Sequence, residues 1–182
     1  TLRSVPSFAQ GYVRDLPVRW AFEEIGLPYE LKLISAEDKN SESYRRQQPF
    51  SQVPVLEDGD LVLFESGSIL LHLGEKSEKI LPKDPTQRAR VRTWVLAALN
   101  SLDPYVRAYR AAKDNSEKEE WARTRLPAVL EALNKSLKAI NHWLQGREYL
   151  ENQFSVGDIM MTIMLRNLEP ELFLDFPHLA QF

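Results

Sequence analysis

The spacing of apolar residues changes character near residue 80, and that change constrains the fold more than any other feature of the chain. Before it, short alternating runs are cut by glycine and proline. After it, apolar residues recur every three or four positions in long stripes. Period two marks strands and period 3.6 marks helices. A small α/β domain followed by an all-helical domain is therefore expected. The boundaries read as 1–78 for the first, 79–86 for a linker carrying two prolines, and 87–182 for the second. At 182 residues, both parts are long enough to bury cores.

Within the first domain, Thr1–Val5 reads as a short strand. Asp15 is positioned to cap a helix that runs to Ile25, with Pro17 in its first turn and Gly26 and Pro28 as its stop. Val18, Ala21, Phe22 and Ile25 form one apolar face. Tyr29, Leu31 and Leu33 alternate with Glu30 and Lys32, the pattern of a half-buried strand, and complete a βαβ unit. A polar helix is expected near 41–48. Val53–Glu57 and Leu61–Phe64 flank Asp58-Gly59 as a hairpin, and Ser66–Lys76 follows as a helix with Ile69, Leu70 and Leu73 inward. In the second domain, Val91, Trp94, Val95, Ala98, Leu99 and Leu102 make one stripe. Leu126, Val129 or Leu130, Leu133, Leu137, Ile140 and Leu144 make another, which Pro127 starts or kinks. Lys113–Glu120 reads as a solvated loop between them.

Two junctions carry chemistry. The first is Gln52-Val53-Pro54-Val55 followed by Phe64-Glu65-Ser66-Gly67-Ser68. Ser66 falls where a strand gives way to a helix. Its hydroxyl and the free N–H groups of the first turn suit a carboxylate, while Glu65 suits an ammonium group. Together they suit the zwitterionic end of an amino acid; an ordinary helix cap beside a surface glutamate is the plainer alternative. The second junction, Phe154-Ser155-Val156-Gly157-Asp158-Ile159, reads as a capping box with a hydrophobic staple, a structural helix start.

In this order and spacing the whole chain resembles a glutathione transferase, of bacterial type. The resemblance rests on the Val53-Pro54 step, the Glu65-Ser66 pair ahead of a helix and the Ser155…Asp158 box. It also rests on the runs Val18-Arg19-Trp20-Ala21-Phe22-Glu23-Glu24, Gly26-Leu27-Pro28-Tyr29-Glu30 and Ala97-Ala98-Leu99-Asn100-Ser101. It implies a thioredoxin-like N-terminal domain and an all-helical C-terminal domain, with a cis Val53–Pro54 bond. Gln52, Val53 and Pro54 would adjoin bound glutathione, the Val53 backbone pairing with its cysteinyl part. Glu65 and Ser66 would hold its γ-glutamyl end. It further implies a homodimer, a small hydrophobic electrophile as second substrate, a role in detoxification and a further helix beyond Phe182.

One departure matters. Such families place a tyrosine, serine or cysteine where the first strand leads into the first helix. Here that segment, residues 4–14, has no cysteine, and the whole chain has none. Chemistry through a mixed disulfide on a protein thiol is excluded. Arg14, Tyr12 and Ser7 remain as groups that could favour the thiolate of glutathione. Phe8, Tyr105 and Tyr109 could line an apolar pocket for the second substrate, although Tyr105 and Tyr109, four apart on a helix, could equally be core packing. Other glutathione-dependent reactions, such as peroxidase, isomerase or dehalogenase chemistry, and a non-catalytic binding role are the rival functions, since fold alone does not choose among them.

The remaining signals are negative. A net charge of −3 gives no attraction for nucleic acid. His72, His142 and His178 have no partners at metal-ligand spacing, so no metal is expected, and no cofactor beyond glutathione as co-substrate. The longest apolar stretch, Trp94–Leu99, is too short to cross a membrane, and no leader pattern precedes residue 1, so a cytoplasmic location is expected.

Overall fold

The structure is a computed structural model and describes residues 1–5 and 13–182. The chain divides into two compact units, Thr1–Lys83 and Asp84–Phe182.

In the first unit, α1 spans Leu16–Ile25 with Pro17 in its first turn, and Gly26 at φ 70° ends it. Glycine reaches this left-handed conformation without a Cβ penalty. Val18, Ala21 and Phe22 are buried. Asp15 precedes the helix but does not cap it. Its backbone is already helical, at φ −79° and ψ −17°, so its side chain cannot fold back onto the first amides. The Asp15 carboxylate instead accepts a 2.7 Å hydrogen bond from the Thr1 hydroxyl.

The two outer strands expected of the βαβ unit are reduced to one parallel bridge between Leu2 and Ile34. Arg3 N–H donates to the Ile34 carbonyl at 2.8 Å, and Ile34 N–H to the Thr1 carbonyl at 2.9 Å. The expected inward residues, Leu31 and Leu33, are 45% and 48% exposed, whereas Ile34 is buried. The physical reason is that pairing begins only at Ile34: residues 30–33 make no ladder, and Glu30 and Lys32 are exposed along with Leu31 and Leu33. Ser35 then starts α2, Ala36–Asn40, through a reciprocal capping box with Asp38, a helix that apolar spacing does not reveal. Ser41 caps α3, Glu42–Arg45, shorter than the helix expected over 41–48.

The hairpin forms from β1, Val55–Asp58, and β2, Leu61–Phe64, in antiparallel register with Val55 opposite Phe64 and Asp58 opposite Leu61. Gly59 supplies the positive φ of 62° in its turn. α4, Ser66–Gly74, follows at once. It buries Ile69, Leu70 and Leu73 and packs against α1. Each such leucine or isoleucine contributes roughly 1.5–3 kcal/mol when fully buried.

The second unit is all helical. Asp84 caps α5, Pro85–Ala97, by accepting from Gln87 N–H at 2.9 Å. A π-helical turn over Ala98–Leu102 leads into α6, Asp103–Asn115. α7 spans Glu120–Trp143, α8 Val156–Leu165 and α9 Pro177–Gln181. Pro127 lies inside α7 rather than at its start. The loop expected over 113–120 shrinks to 116–119. Lys113 belongs to α6 and forms a 2.7 Å ion pair with Glu169. Both stripes point inward: Val91, Val95, Ala98 and Leu102 are buried, as are Leu133, Leu137 and Leu144.

At the start of α8 the Ser155 hydroxyl accepts from Gly157 N–H at 3.2 Å rather than from Asp158 N–H, so only the return half of the expected capping box forms, and Asp158 does more than supply it. It accepts a bond from the Ser155 backbone, but also from Leu150 N–H at 2.8 Å and from the Ser155 hydroxyl at 2.7 Å. It therefore ties the preceding loop to the start of α8.

Candidate functional site

The hairpin register builds the candidate site. With Val55 opposite Phe64 as the last pair, the residues just before β1 and those just after β2 leave the hairpin at the same end. The two sequence motifs, separate along the chain, are thus neighbours in space because one tight turn returns the strand on itself. The Val53–Pro54 bond is cis. Among the described residues nothing hydrogen-bonds the Val53 N–H or C=O.

Just after β2, Glu65 occupies φ 67° and ψ 118° at the N-cap of α4. A side-chain-bearing residue held at positive φ costs on the order of 1–3 kcal/mol, a form of strain that collects at ligand sites. The Glu65 side chain is exposed and makes no capping bond, so among the described residues no side chain caps the first turn of α4. Ser66 is the first helical residue and only 5% exposed. The junction therefore combines an exposed carboxylate with unpaired helix N–H donors. That pairing complements an ammonium and a carboxylate on one ligand.

A second set of contacts shapes the approach to Val53. The Tyr44 hydroxyl donates to the Gln52 carbonyl at 2.6 Å, and burial pushes its phenol pKa up. Arg45 Nε donates to the Ser51 hydroxyl at 3.0 Å, and Phe50 N–H to the buried Gln48 side chain at 2.6 Å. Sequence reasoning singles out none of these four side chains, because in a polar segment nothing distinguishes a residue that anchors a loop. The serine-capped start of α3 is the one legible signal nearby.

The other sequence-derived residues scatter. Ser7, Phe8 and Tyr12 lie outside the described residues. Arg14 immediately precedes Asp15, which is 4% exposed and carries an oxygen, Oδ1, with no hydrogen-bond partner among the described residues. A buried carboxylate at the start of α1 opposes the positive potential that an N-terminus would otherwise offer a thiolate. In the helical unit, Tyr105 is 40% exposed, but Tyr109 is 5% exposed. The Tyr109 hydroxyl lies 3.2 Å from Glu169, so within that unit this ring is core packing rather than the wall of an open pocket. An apolar opening lies elsewhere in that unit, a cleft of about 250 Å³ between α5 and α7, lined by Trp94, Ser101, Ser136 and Trp143 among others. His72 is not isolated, contrary to its spacing in the sequence. Its Nε2 lies 2.8 Å from Asp58 Oδ2, which Lys76 also contacts at 2.7 Å. The hairpin turn brings Asp58 back to α4. Among the described residues, no cluster of histidine and carboxylate side chains is arranged to hold a metal, and no helix is long and apolar enough to cross a membrane.

Comparison with known proteins gives the same reading of the fold. Residues 17–82 match the family described as Glutathione S-transferase, N-terminal domain. The chain is 39% identical over 88 residues to Glutathione S-transferase 4 of Zea mays, an alignment that covers 46% of this chain and 40% of that protein. The chain thus spans about two fifths of the length of that relative. It is 30% identical over 157 residues to Probable maleylacetoacetate isomerase 2 of Drosophila melanogaster, covering 82% of this chain and 67% of that one. A crystal structure of a glutathione transferase from Burkholderia graminis, with two glutathione molecules bound per subunit, superposes with a TM-score of 0.80 at 26% identity. That superposition covers 92% of this chain and 77% of the other. The N-terminal unit is therefore thioredoxin-like and the C-terminal unit is the helical domain that accompanies it, and the chain belongs to the glutathione transferase family.

Proposed function

We propose that the chain is an enzyme that binds glutathione at the hairpin–α4 junction and transfers its sulfur to a small hydrophobic electrophile. One observation carries the reading. The pairing of Val55 with Phe64 brings the Val53 backbone, without a hydrogen-bond partner among the described residues, to the same end of the hairpin as the exposed Glu65 side chain and the N-terminus of α4. The γ-glutamyl ammonium would pair with Glu65, its carboxylate with Ser66 and the first-turn amides, and the cysteinyl backbone with Val53. Gln52 and Pro54 frame that contact.

Chemistry then needs only a thiolate and an apolar wall. A free thiol has a pKa of about 8.5, so little is ionised at neutral pH. The thiolate attacks an electrophilic carbon, a C–S bond forms, and the displaced electron pair leaves with the departing group or moves onto an acceptor atom. Because Asp15 offsets the end of α1, activation falls to a fixed cation or a hydroxyl donor. Arg14 is the assigned group, with Tyr12 and Ser7 as the alternatives. Phe8 and Tyr105 would supply apolar contact for the electrophile. Two subunits would assemble as a homodimer.

The test is a conjugation assay with glutathione and an aromatic electrophile, run beside hydroperoxide reduction and a cis–trans isomerisation. Conjugation supports the reading. Isomerisation alone, the activity named for the Drosophila melanogaster relative, or binding without turnover would replace it. The pH dependence of bound-thiolate absorbance in Arg14→Ala, Tyr12→Phe and Ser7→Ala identifies the activating group. The responsible variant raises the thiol pKa by a unit or more, about 1.4 kcal/mol. An unmoved pKa in Arg14→Ala removes the arginine from that role.

A further inference from the structure

The peptide unit between Gln52 and Val53 links two observations that stand apart in the fold. Its carbonyl oxygen is held by the Tyr44 hydroxyl at 2.6 Å. Its N–H belongs to Val53 and has no hydrogen-bond partner among the described residues. The only cis bond among the described residues is the following one, so this unit is trans. In a planar trans peptide, the C=O and N–H point in opposite directions. Fixing the carbonyl toward α3 therefore fixes the Val53 N–H away from it. The ring that does this is set in turn by α3, where the Tyr44 N–H donates to the capping Ser41 hydroxyl at 3.2 Å. The bonds from Arg45 to Ser51 and from Phe50 to Gln48 brace the segment that leads into Gln52.

We infer that Tyr44 is a positioning residue for glutathione: by holding the Gln52 carbonyl it orients the Val53 N–H toward the cysteinyl backbone of the ligand. This rests on the binding mode proposed above. Tyr44 itself touches no ligand atom. It raises the fraction of molecules whose Val53 amide is already aimed, and apparent affinity falls in proportion when that fraction falls. The effect is confined to one end of the ligand, because Glu65 and Ser66 are held by β2 and α4 and not by the Tyr44 hydroxyl.

NMR titrations of the full chain, which read affinities into the millimolar range, test this with two probes. Glutathione engages both ends of the site; γ-glutamyl methylamide carries only the γ-glutamyl end. Tyr44→Phe removes the hydroxyl and keeps the ring. The expected result is a loss of glutathione affinity of about two- to twelvefold, the equivalent of one hydrogen bond at about 0.5–1.5 kcal/mol. Affinity for γ-glutamyl methylamide should stay within about twofold of the unsubstituted chain. Unchanged glutathione affinity overturns the inference. So does an equal loss for both probes, which would mark a general loosening of the unit. Failure of the unsubstituted chain to bind glutathione overturns the binding mode itself and the inference with it, and is distinguishable because it needs no variant.

Discussion

At the scale of single residues, charge and backbone conformation say most. Asp58 accepts contacts from both Lys76 and His72, and these bonds hold its carboxyl below the usual carboxylate value of 3.8. A depressed folded-state pKa stabilises the ionised carboxylate. Its contribution is fully present above pH 3.8 and is lost as pH falls through the lower folded value. The melting temperature of Asp58→Asn should therefore lie below that of the unsubstituted protein at neutral pH, and the gap should close below pH 3.8. A gap that stays constant into strong acid would show that the cluster contributes nothing through ionisation. At the junction, Ser66→Ala and Glu65→Ala should each weaken glutathione binding by roughly tenfold or more, the loss of one charge-assisted hydrogen bond of about 1.5–3 kcal/mol. Calorimetry measures this directly, and unchanged affinity in both variants removes the assignment. The Glu65-Ser66 pair is legible in the sequence because a strand, an acid and a small polar residue ahead of a helix form a local pattern. The positive φ of Glu65 and the tie from Tyr44 to Gln52 are not, since both arise from how separate segments meet.

At the scale of elements, the sequence pattern succeeds where one face is buried against one neighbour. α1, the hairpin, α4 and the stripes of α5 and α7 all follow their apolar spacing. It fails at Leu31 and Leu33, which lie before the single bridge at Ile34 and are exposed like Glu30 and Lys32 between them, and at α2, a five-residue helix with no buried residue to mark it. Between α5 and α8, Gly157 allows close approach. A Cβ there would meet the Trp94 Cβ at 3.0 Å and the Ser155 hydroxyl oxygen at 3.3 Å. Gly157→Ala should destabilise the helical unit by about 1–3 kcal/mol, since the Trp94 Cβ is fixed to its helix backbone and cannot swing away. Asp158→Ala should cost about as much, because the Leu150 N–H would be left buried without a partner. Denaturant melts measure both. For Asp158→Ala, glutathione affinity of the folded variant should be unchanged; a variant of normal stability that has lost binding would mean that Asp158 serves the ligand and not the helix start.

For the whole molecule, the division near residue 83 separates a unit that carries the candidate ligand junction from a helical unit whose buried Tyr109 is internal. A change of apolar period makes that division visible in the amino-acid sequence, because a helical bundle and a mixed sheet bury side chains at different spacings. Tyr109 shows the limit of the same reasoning: helical spacing places a ring on a face but does not say whether that face meets solvent or core. The central claim is that glutathione binds where the hairpin enters α4. The most direct test is a map of backbone amide shifts as glutathione is added to the isotopically labelled chain. The largest shifts should fall on Val53, Ser66 and Gly67, with the helical cleft at Trp94 and Trp143 little changed. Shifts centred on that cleft, or none near Val53 and Ser66 at saturating glutathione, would contradict the claim.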